Sequence, residues 1–323
     1  MLNTNDHVYS EEDRDLVAMM VTDAIATGKT SGVWEEIAAE IGVSNPDAVR
    51  KYARSLGLPP IRLNKQALEA LWQRPPVPDL ASQVLHIEAE RAGVSGDKHE
   101  PFMNRNLFYY FLDACQGCDT IIDLGDDGQY DAFSKFASRS SGSDDLAQTV
   151  EWIEQDIDLE LQVAERVVKI PGNHDYFLSR ITNGALGPWA LINTWAKAKY
   201  GDRVVFSKFP IAYLALGKQK WVLHHPDSYR VVPGSVAREF ADEYSSNTIC
   251  GHSHVTNESN SKGGYCAIDV GGLVDERKMP YRYFTDKPYC KWVPGWVVLT
   301  PDGHSVTKID PLDGTFGTSQ MVN

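Results

Sequence analysis

The sequence predicts a small all-helical N-terminal domain followed by a larger α/β layered domain. Three observations carry this expectation. Apolar residues recur at helical spacing through the first sixty positions. From about Leu80 onward, short strand-like runs alternate with helical patterns, the signature of a layered α/β fold. Between the two lies Arg74-Pro75-Pro76-Val77-Pro78, which cannot continue a helix. The expected division is therefore a helical domain over 1–65, a linker with a short helix over 66–80, and the α/β domain over 81–323.

Composition agrees with a folded, two-domain chain. At 323 residues, 42% hydrophobic and 23% charged, the protein can bury a core without disulfides or a structural metal. No apolar run approaches the ~20 residues of a membrane helix, so no membrane role is expected. Met1 to Asp15 is polar and acidic, unlike a secretory leader, and the five cysteines are odd in number and scattered. A cytoplasmic protein with mostly free thiols is the expectation. The net charge of −13 disfavours coating nucleic acid or anionic membrane by bulk electrostatics. It does not exclude a local phosphate site, because bound cations reverse the field where carboxylates cluster.

The helical domain reads element by element. Leu16, Val17, Met20, Val21, Ala24 and Ile25 mark a helix over Glu11 to Thr27, with Glu11, Glu12 and Asp13 favourable in its first turn and Gly28 ending it. A second helix is expected over Val33 to Ile41. A third is expected over Pro46 to Leu56, capped by Ser44 or Asn45 with Pro46 at the first helical position. Gly42-Val43-Ser44 forms the turn, and Ala38 lets the two helices approach, which resembles a helix-turn-helix. Arg50, Lys51 and Arg54 on the third helix, followed by Arg62 and Lys65, would then meet nucleic-acid phosphates. The competing reading is a three-helix bundle for protein contact. Residues 1–65 hold seven Lys and Arg against ten Asp and Glu, whereas a dedicated DNA-binding module is usually basic.

In the second domain the apolar runs end in polar residues. Thr120 to Leu124 ends in Gly125-Asp126, and Val167 to Ile170 ends in Pro171-Gly172-Asn173-His174-Asp175. Trp221 to Leu223 ends in His224-His225-Pro226, and Thr248 to Cys250 ends in Gly251-His252-Ser253-His254. Helical patterns lie between, over Arg105 to Ala114, Leu146 to Ala164 and Gly234 to Tyr244. Carboxyl ends of strands are where α/β folds bind ligands. Six of the nine histidines sit at or just after such ends, beside Asp, Asn or Gly, and core histidines do not cluster in this way. Gly96-Asp97-Lys98-His99 adds a carboxylate and an imidazole two residues apart, although Gly93 to Gly96 is barely apolar for a strand.

The ordered set Asp97-x-His99, Gly125-Asp126, Gly172-Asn173-His174-Asp175, a lone His and Gly251-His252-x-His254 resembles the calcineurin-like metallophosphoesterase family. It spans about Gly93 to His254. The resemblance implies a four-layer α/β/β/α sandwich carrying two metal ions. Carried over by position, Asp97, His99, Asp126 and His254 would hold the first ion. Asp126, Asn173, His225 and His252 would hold the second, with Asp126 shared. His174 would stand outside the metals, contact the phosphate and help protonate the leaving oxygen. His224 and His225 both stand at the lone-His position; His225 is preferred because Trp221, Leu223 and His225 share a strand face. The stretch His225-Pro226-Asp227-Ser228-Tyr229 looks like a variant of phage-type members. Some members carry an Asp three residues after the bridging one to orient the catalytic His. Here that position is Gln129, leaving Asp127, Asp131 or Asp175 as substitutes.

Two cations ~3.5–4 Å apart can clamp a phosphate and stabilise its attacking and leaving oxygens, and mixed imidazole and carboxylate donors suit Mn, with Fe, Zn or Ni as alternatives. The expectation is a phosphodiesterase or nuclease that hydrolyses nucleic acid or nucleotides with a metal-activated hydroxide. Two other readings use the same residues. One is a phosphomonoesterase acting on protein or small molecules, with the helices binding a protein partner. The other is a DNA-binding protein with a vestigial metal site. Phe108-Tyr109-Tyr110-Phe111 is expected in the core, Cys115-Gln116-Gly117-Cys118 is expected to have no function, and Asp275 to Val293 is expected to be a lid or dimer contact. Nothing in the sequence speaks to oligomeric state.

Overall fold

A computed structural model describes residues 9–61, 80–134, 146–228, 230, 232–279, 292–309 and, as backbone, 316–322. The short helix expected in the linker, the Pro-rich boundary, Arg62, Lys65 and most of Asp275 to Val293 lie outside the described residues. The chain divides into two compact units, 1–79 and 80–323. No helix among the described residues is long and apolar enough to cross a membrane.

The first unit holds α1 (Glu11–Thr27), α2 (Val33–Glu40) and α3 (Pro46–Ser55). Ser10 and Asp13 form a reciprocal capping box that satisfies two otherwise orphaned N–H groups at the start of α1. Gly28, at φ 73°, closes the other end by returning its N–H to Ala24 and Ile25. Asn45 caps α3 by accepting the Asp47 N–H at 3.0 Å. Val17, Val21, Ile37, Ala38, Val49 and Ala53 are buried together as the core. Arg50, Lys51 and Arg54 are exposed on α3, and Arg50 pairs with Asp47 at 3.2 Å.

The second unit is built on two sheets. Its strands are β1 (Leu85–Glu88), β2 (Ala92–Ser95), β3 (Thr120–Asp123), β4 (Arg166–Lys169), β5 (Val204–Phe206), β6 (Ile211–Leu216) and β7 (Gln219–His224). They continue as β8 (Asn247–Cys250), β9 (Asn257–Asn260), β10 (Cys266–Asp269), β11 (Gly295–Thr300), β12 (Gly303–Ile309) and β13 (Phe316–Val322). One sheet runs β1-β6-β7-β8-β10-β9 and the other β13-β12-β11-β2-β3-β4-β5. Strands β2 to β5 are mutually parallel, as are β7, β8 and β10. The helices are α4 (Arg105–Ala114), α5 (Leu146–Val163), α6 (Phe177–Ile181), α7 (Asn193–Tyr200) and α8 (Ser235–Tyr244).

Period-2 alternation assigns the faces. Ile122 and Val168 point inward and meet Leu214, Leu223, Ile249 and Ile268 of the facing sheet. Their neighbours Ile121 and Val167 point outward against Phe108, Phe111, Ile153 and Ile157 of α4 and α5. On the far side, Ala237 and Ala241 of α8 pack on Cys250 and Ala267. The order of layers is helix, sheet, sheet, helix, the α/β/β/α sandwich implied by the family resemblance.

Two sequence readings change. Phe108 and Phe111 are fully buried, but Tyr109 and Tyr110 are 56% and 51% exposed. An amphipathic helix buries one stripe, so four consecutive aromatics cannot all face the core. The weak run before Asp97 is a central, fully buried strand, β2. Its small residues serve close packing: a Cβ on Gly93 would lie 2.2 Å from Cys115 Sγ.

Candidate metal centre

Five chain segments leave the parallel strands at one end of the sandwich and converge there. They follow β2 (Asp97 and His99), β3 (Asp126), β4 (Asn173 and His174), β7 (His225) and β8 (His252 and His254). The backbone turns sharply at each. Asp97, His99, Asp126, His252 and His254 have φ between 50° and 75°, so five of the eight described non-glycine residues with positive φ belong to this cup. Asp and His tolerate that left-handed region better than most residues, but it costs energy and persists only where the surroundings enforce it. Gly125 and Gly172 make the approach possible: a Cβ on Gly125 would lie 2.3 Å from Gly172 N.

Three overlapping groups of ligand atoms each lie within 4.8 Å: Asp97–His99–His254, His99–Asp126–His174 and Asp126–His225–His252. His254 Nε2 is 3.3 Å from Asp97 Oδ1, His225 Nε2 is 3.4 Å from Asp126 Oδ2, and His99 Nε2 is 3.8 Å from Asp126 Oδ2. Asn173 Oδ1 is 3.3 Å from His225 Nε2. His225 faces the cup, whereas His224 is turned to Phe240 and Tyr244.

Burial and the neighbouring His174 push His99 down to about 3; burial and His225 push His252 down to about 4. Burial alone would raise Asp97 and Asp126. His254 nevertheless holds Asp97 below the usual carboxylate range, and His225 with His174 holds Asp126 well below it. Burial opposes charge on His225 too, but Asp126 and Asp97 raise it to about 10. The neutral imidazoles of His99 and His252 beside ionised carboxylates are the donor state a borderline divalent ion needs, and a bound ion would take the place of the proton on His225.

The donors fit cations better than they fit each other. His99 Nε2 and His254 Nε2 face one another at 3.2 Å, close enough to share one ion or one proton. His252 Nδ1 and His254 Nδ1 are buried with no hydrogen-bond partner, which costs free energy unless a cation or water meets them.

Surrounding groups hold the ligands in place. His99 Nδ1 bonds to Gln129 Oε1 at 2.8 Å, and His225 Nδ1 donates to the Leu124 carbonyl. His174 Nδ1 donates to the Gln129 backbone carbonyl at 2.6 Å, and its N–H to Asp126 Oδ1 at 2.7 Å. The orienting acceptor for His174 is therefore a main-chain oxygen, in place of the carboxylates Asp127, Asp131 or Asp175. Asp175 instead accepts from Asp126 N and Gly172 N, both at 2.8 Å, tying two of the loops together. Asp127 pairs with Lys169 at 3.2 Å.

A buried charge cluster that the sequence reading missed lies behind the cup. Lys98, between two candidate ligands, pairs with Asp123 at 2.9 Å and with Glu160. Lys169 pairs with Asp123, Asp127 and Glu160. The available signal was polar residues inside otherwise apolar strands, Asp123 and Lys169, with Glu160 on the apolar face of α5. Trp292 packs on His254, ring centroids 4.1 Å apart.

No family model matches the sequence, and neither does any curated protein. Among solved structures the chain is similar to Vps29 from Cryptosporidium parvum, at 14% identity over 73% of this chain and 99% of that one, TM-score 0.42. It is similar to zinc-complexed wild-type Vps29 from Entamoeba histolytica, at 13% identity over 72% and 98%, TM-score 0.39. It is also similar to a dimetal phosphatase from Danio rerio, at 9% identity over 72% and 98%, TM-score 0.37.

Proposed function

We propose that the protein is a two-metal-dependent phosphoester hydrolase, acting as a phosphodiesterase or nuclease on nucleic acid or nucleotides. The observation that carries this reading is the convergence of two carboxylates and five imidazoles at one end of the parallel strands, in three overlapping ligand groups. On this reading Asp97, His99, Asp126 and His254 hold one ion, and Asp126, Asn173, His225 and His252 the other. Manganese is the first choice of ion. His225 to Tyr229 marks a phage-type variant, and the protein works in the cytoplasm with its cysteines free of disulfides, Cys115, Cys118, Cys250 and Cys266 among them.

When bound, two divalent ions would neutralise the phosphate, clamp its oxygens and lower the pKa of a water. The chain's own groups supply the rest. His174 stands at the rim, half-buried, its ring edge-on to His99 at 4.8 Å and against Phe177 at 4.5 Å. With Nδ1–H committed to Gln129, Nε2 is the nitrogen left to hold and deliver a proton to the leaving oxygen. Asp126 has one oxygen on the His174 N–H and the other beside His225, so it links the proton donor to both ligand groups. For the substrate class, support comes from the helix–turn–helix arrangement of α2 and α3, with Arg50, Lys51 and Arg54 exposed on α3.

The test is Mn²⁺-dependent cleavage of end-labelled single- and double-stranded DNA, with aryl phosphate mono- and diesters alongside. Cleavage of DNA and diesters by wild type but not by Asp126→Asn supports the reading. Turnover of monoesters alone would make the protein a phosphatase and its helices a protein-binding bundle. Turnover of none, with two ions bound, would overturn the enzymatic reading.

A further inference from the structure

A second group of metal-type donors lies apart from the cup. Glu258 on β9, Cys266 on β10 and His304 on β12 bring a carboxylate oxygen, a thiol and an imidazole nitrogen within 4.8 Å of one another. Strand register places them at the opposite end of the sandwich. His304 pairs with Leu299, and Leu299 with Ala92, the first residue of β2; the cup lies beyond the last. Cys266 likewise begins β10.

The three donors come from both sheets: β9 and β10 belong to one, β12 to the other. Cys266, Glu258 and Ile268 share the inward face of the β9–β10 pair, and His304 shares the inward face of β12 with Val306. The residues are partly buried, and Trp221 packs on His304 with ring centroids 5.4 Å apart.

The geometry distinguishes a ligand set from a catalytic relay. In a Cys–His–acid relay the thiol and the carboxylate use opposite ring nitrogens. Here Glu258 Oε1 at 2.8 Å and Cys266 Sγ at 3.9 Å both address His304 Nε2. One nitrogen, one oxygen and one sulfur thus lie within 4.8 Å of one another, close enough to hold a single ion between them. One thiolate, one imidazole and one carboxylate, with water in the fourth position, form a tetrahedral set suited to Zn²⁺ or Co²⁺ and unsuited to Mg²⁺ or Ca²⁺.

The geometry points to a second metal site, in which Glu258, Cys266 and His304 bind one zinc-class ion that ties the two sheets together at the end remote from the cup. Binding displaces the thiol proton and trades the Glu258–His304 contact for two metal bonds.

Cobalt separates this site from the cup, because the ligands proposed in the cup include no cysteine. Chelator-treated full-length protein is titrated with Co²⁺ and followed in the near ultraviolet for thiolate-to-metal charge transfer, with bound metal counted by dialysis. The expected result is a charge-transfer band saturating at one ion per chain, absent in Cys266→Ser, which binds one ion fewer. Glu258→Gln keeps the thiol and should show the band at an affinity lower by at least about 10-fold, the loss even outer partners cause. It serves as the test if Cys266→Ser fails to fold by circular dichroism. No band in folded wild type, a band that survives Cys266→Ser, or unchanged affinity in Glu258→Gln overturns the site. The readout does not depend on phosphoester turnover.

Discussion

The helices of residues 9–61 and the loops of the metal cup obey opposite rules. In the helical unit the local signals agree with the observed backbone at both ends of α1 and at the start of α3: Ser10 and Asn45 cap, Pro46 starts, and Gly28 and Gly42 take the left-handed turns. In the cup, non-glycine residues adopt the left-handed region at Asp97, His99, Asp126, His252 and His254. Helices that satisfy their own backbone groups need little from a distance. The cup's backbone is held by long-range bonds, such as Asp126 N to Asp175 at 2.8 Å and His252 N to Asp97 at 2.9 Å. The candidate metal ligands stand where the chain is least able to hold its shape by itself.

The largest effects should come from breaking the cup. Asp126→Asn removes the carboxylate common to two ligand groups, so both ions should be lost on dialysis and turnover should fall by more than about 10³-fold. His174→Ala should retain both ions and lose about 10²–10⁴-fold in kcat. Equal metal loss in the two variants would show that the shared-ligand and proton-donor roles are wrongly divided.

Next comes the charge cluster behind the cup. Lys169→Met takes from Asp127 its buried lysine partner and leaves Asp123 and Glu160 only Lys98, and should cost about 3–5 kcal/mol in denaturant unfolding of the second unit. The pH dependence of the chelated protein sharpens the point. Burial and Asp123 raise Glu160 to about 8 from 4.5. The folded state therefore binds more protons than the unfolded one between those values. This contribution to stability is complete below about pH 4.5 and is lost as pH rises through 8. Thermal midpoints should fall across that window, and Glu160→Gln should flatten the slope; an unchanged slope would remove Glu160 as its source. The smallest effect belongs to the helical unit: Asn45→Ala should cost about 1 kcal/mol, read from helix melting by circular dichroism, with turnover in the second unit unchanged.

Much of the architecture was legible because local signals and tertiary demands coincide. The bounds of α1 and α4 match those read from periodicity, and β3, β4 and β8 end at Asp123, Lys169 and Cys250, within one residue of where their apolar runs stop. Strand β2 was faint, because Gly93 and Ser95 were chosen for close approach to α4 and for a bond to Asp123 rather than for strand propensity. Tyr109 and Tyr110 were misassigned because a run of aromatics does not reveal which positions face out. Gln129 was read as a missing carboxylate, yet its main-chain oxygen, which any residue possesses, orients His174.

The sequence by itself determined the α/β alternation, the helical N-terminal unit and the chemical types gathered at the strand ends, because glycine turns, caps and periodicity act over a few residues. Strand alternation already favoured His225 over His224 for the cup, and the structure agrees, with His225 beside Asp126 and His224 turned to Phe240 and Tyr244. Other contacts only the tertiary structure decided. It alone revealed the buried pairing of Lys98 and Lys169 with Asp123 and Glu160, and the meeting of Glu258, Cys266 and His304. Most of these contacts join residues 25 to 62 positions apart, and local backbone preference carries no information about which distant charge or donor will arrive.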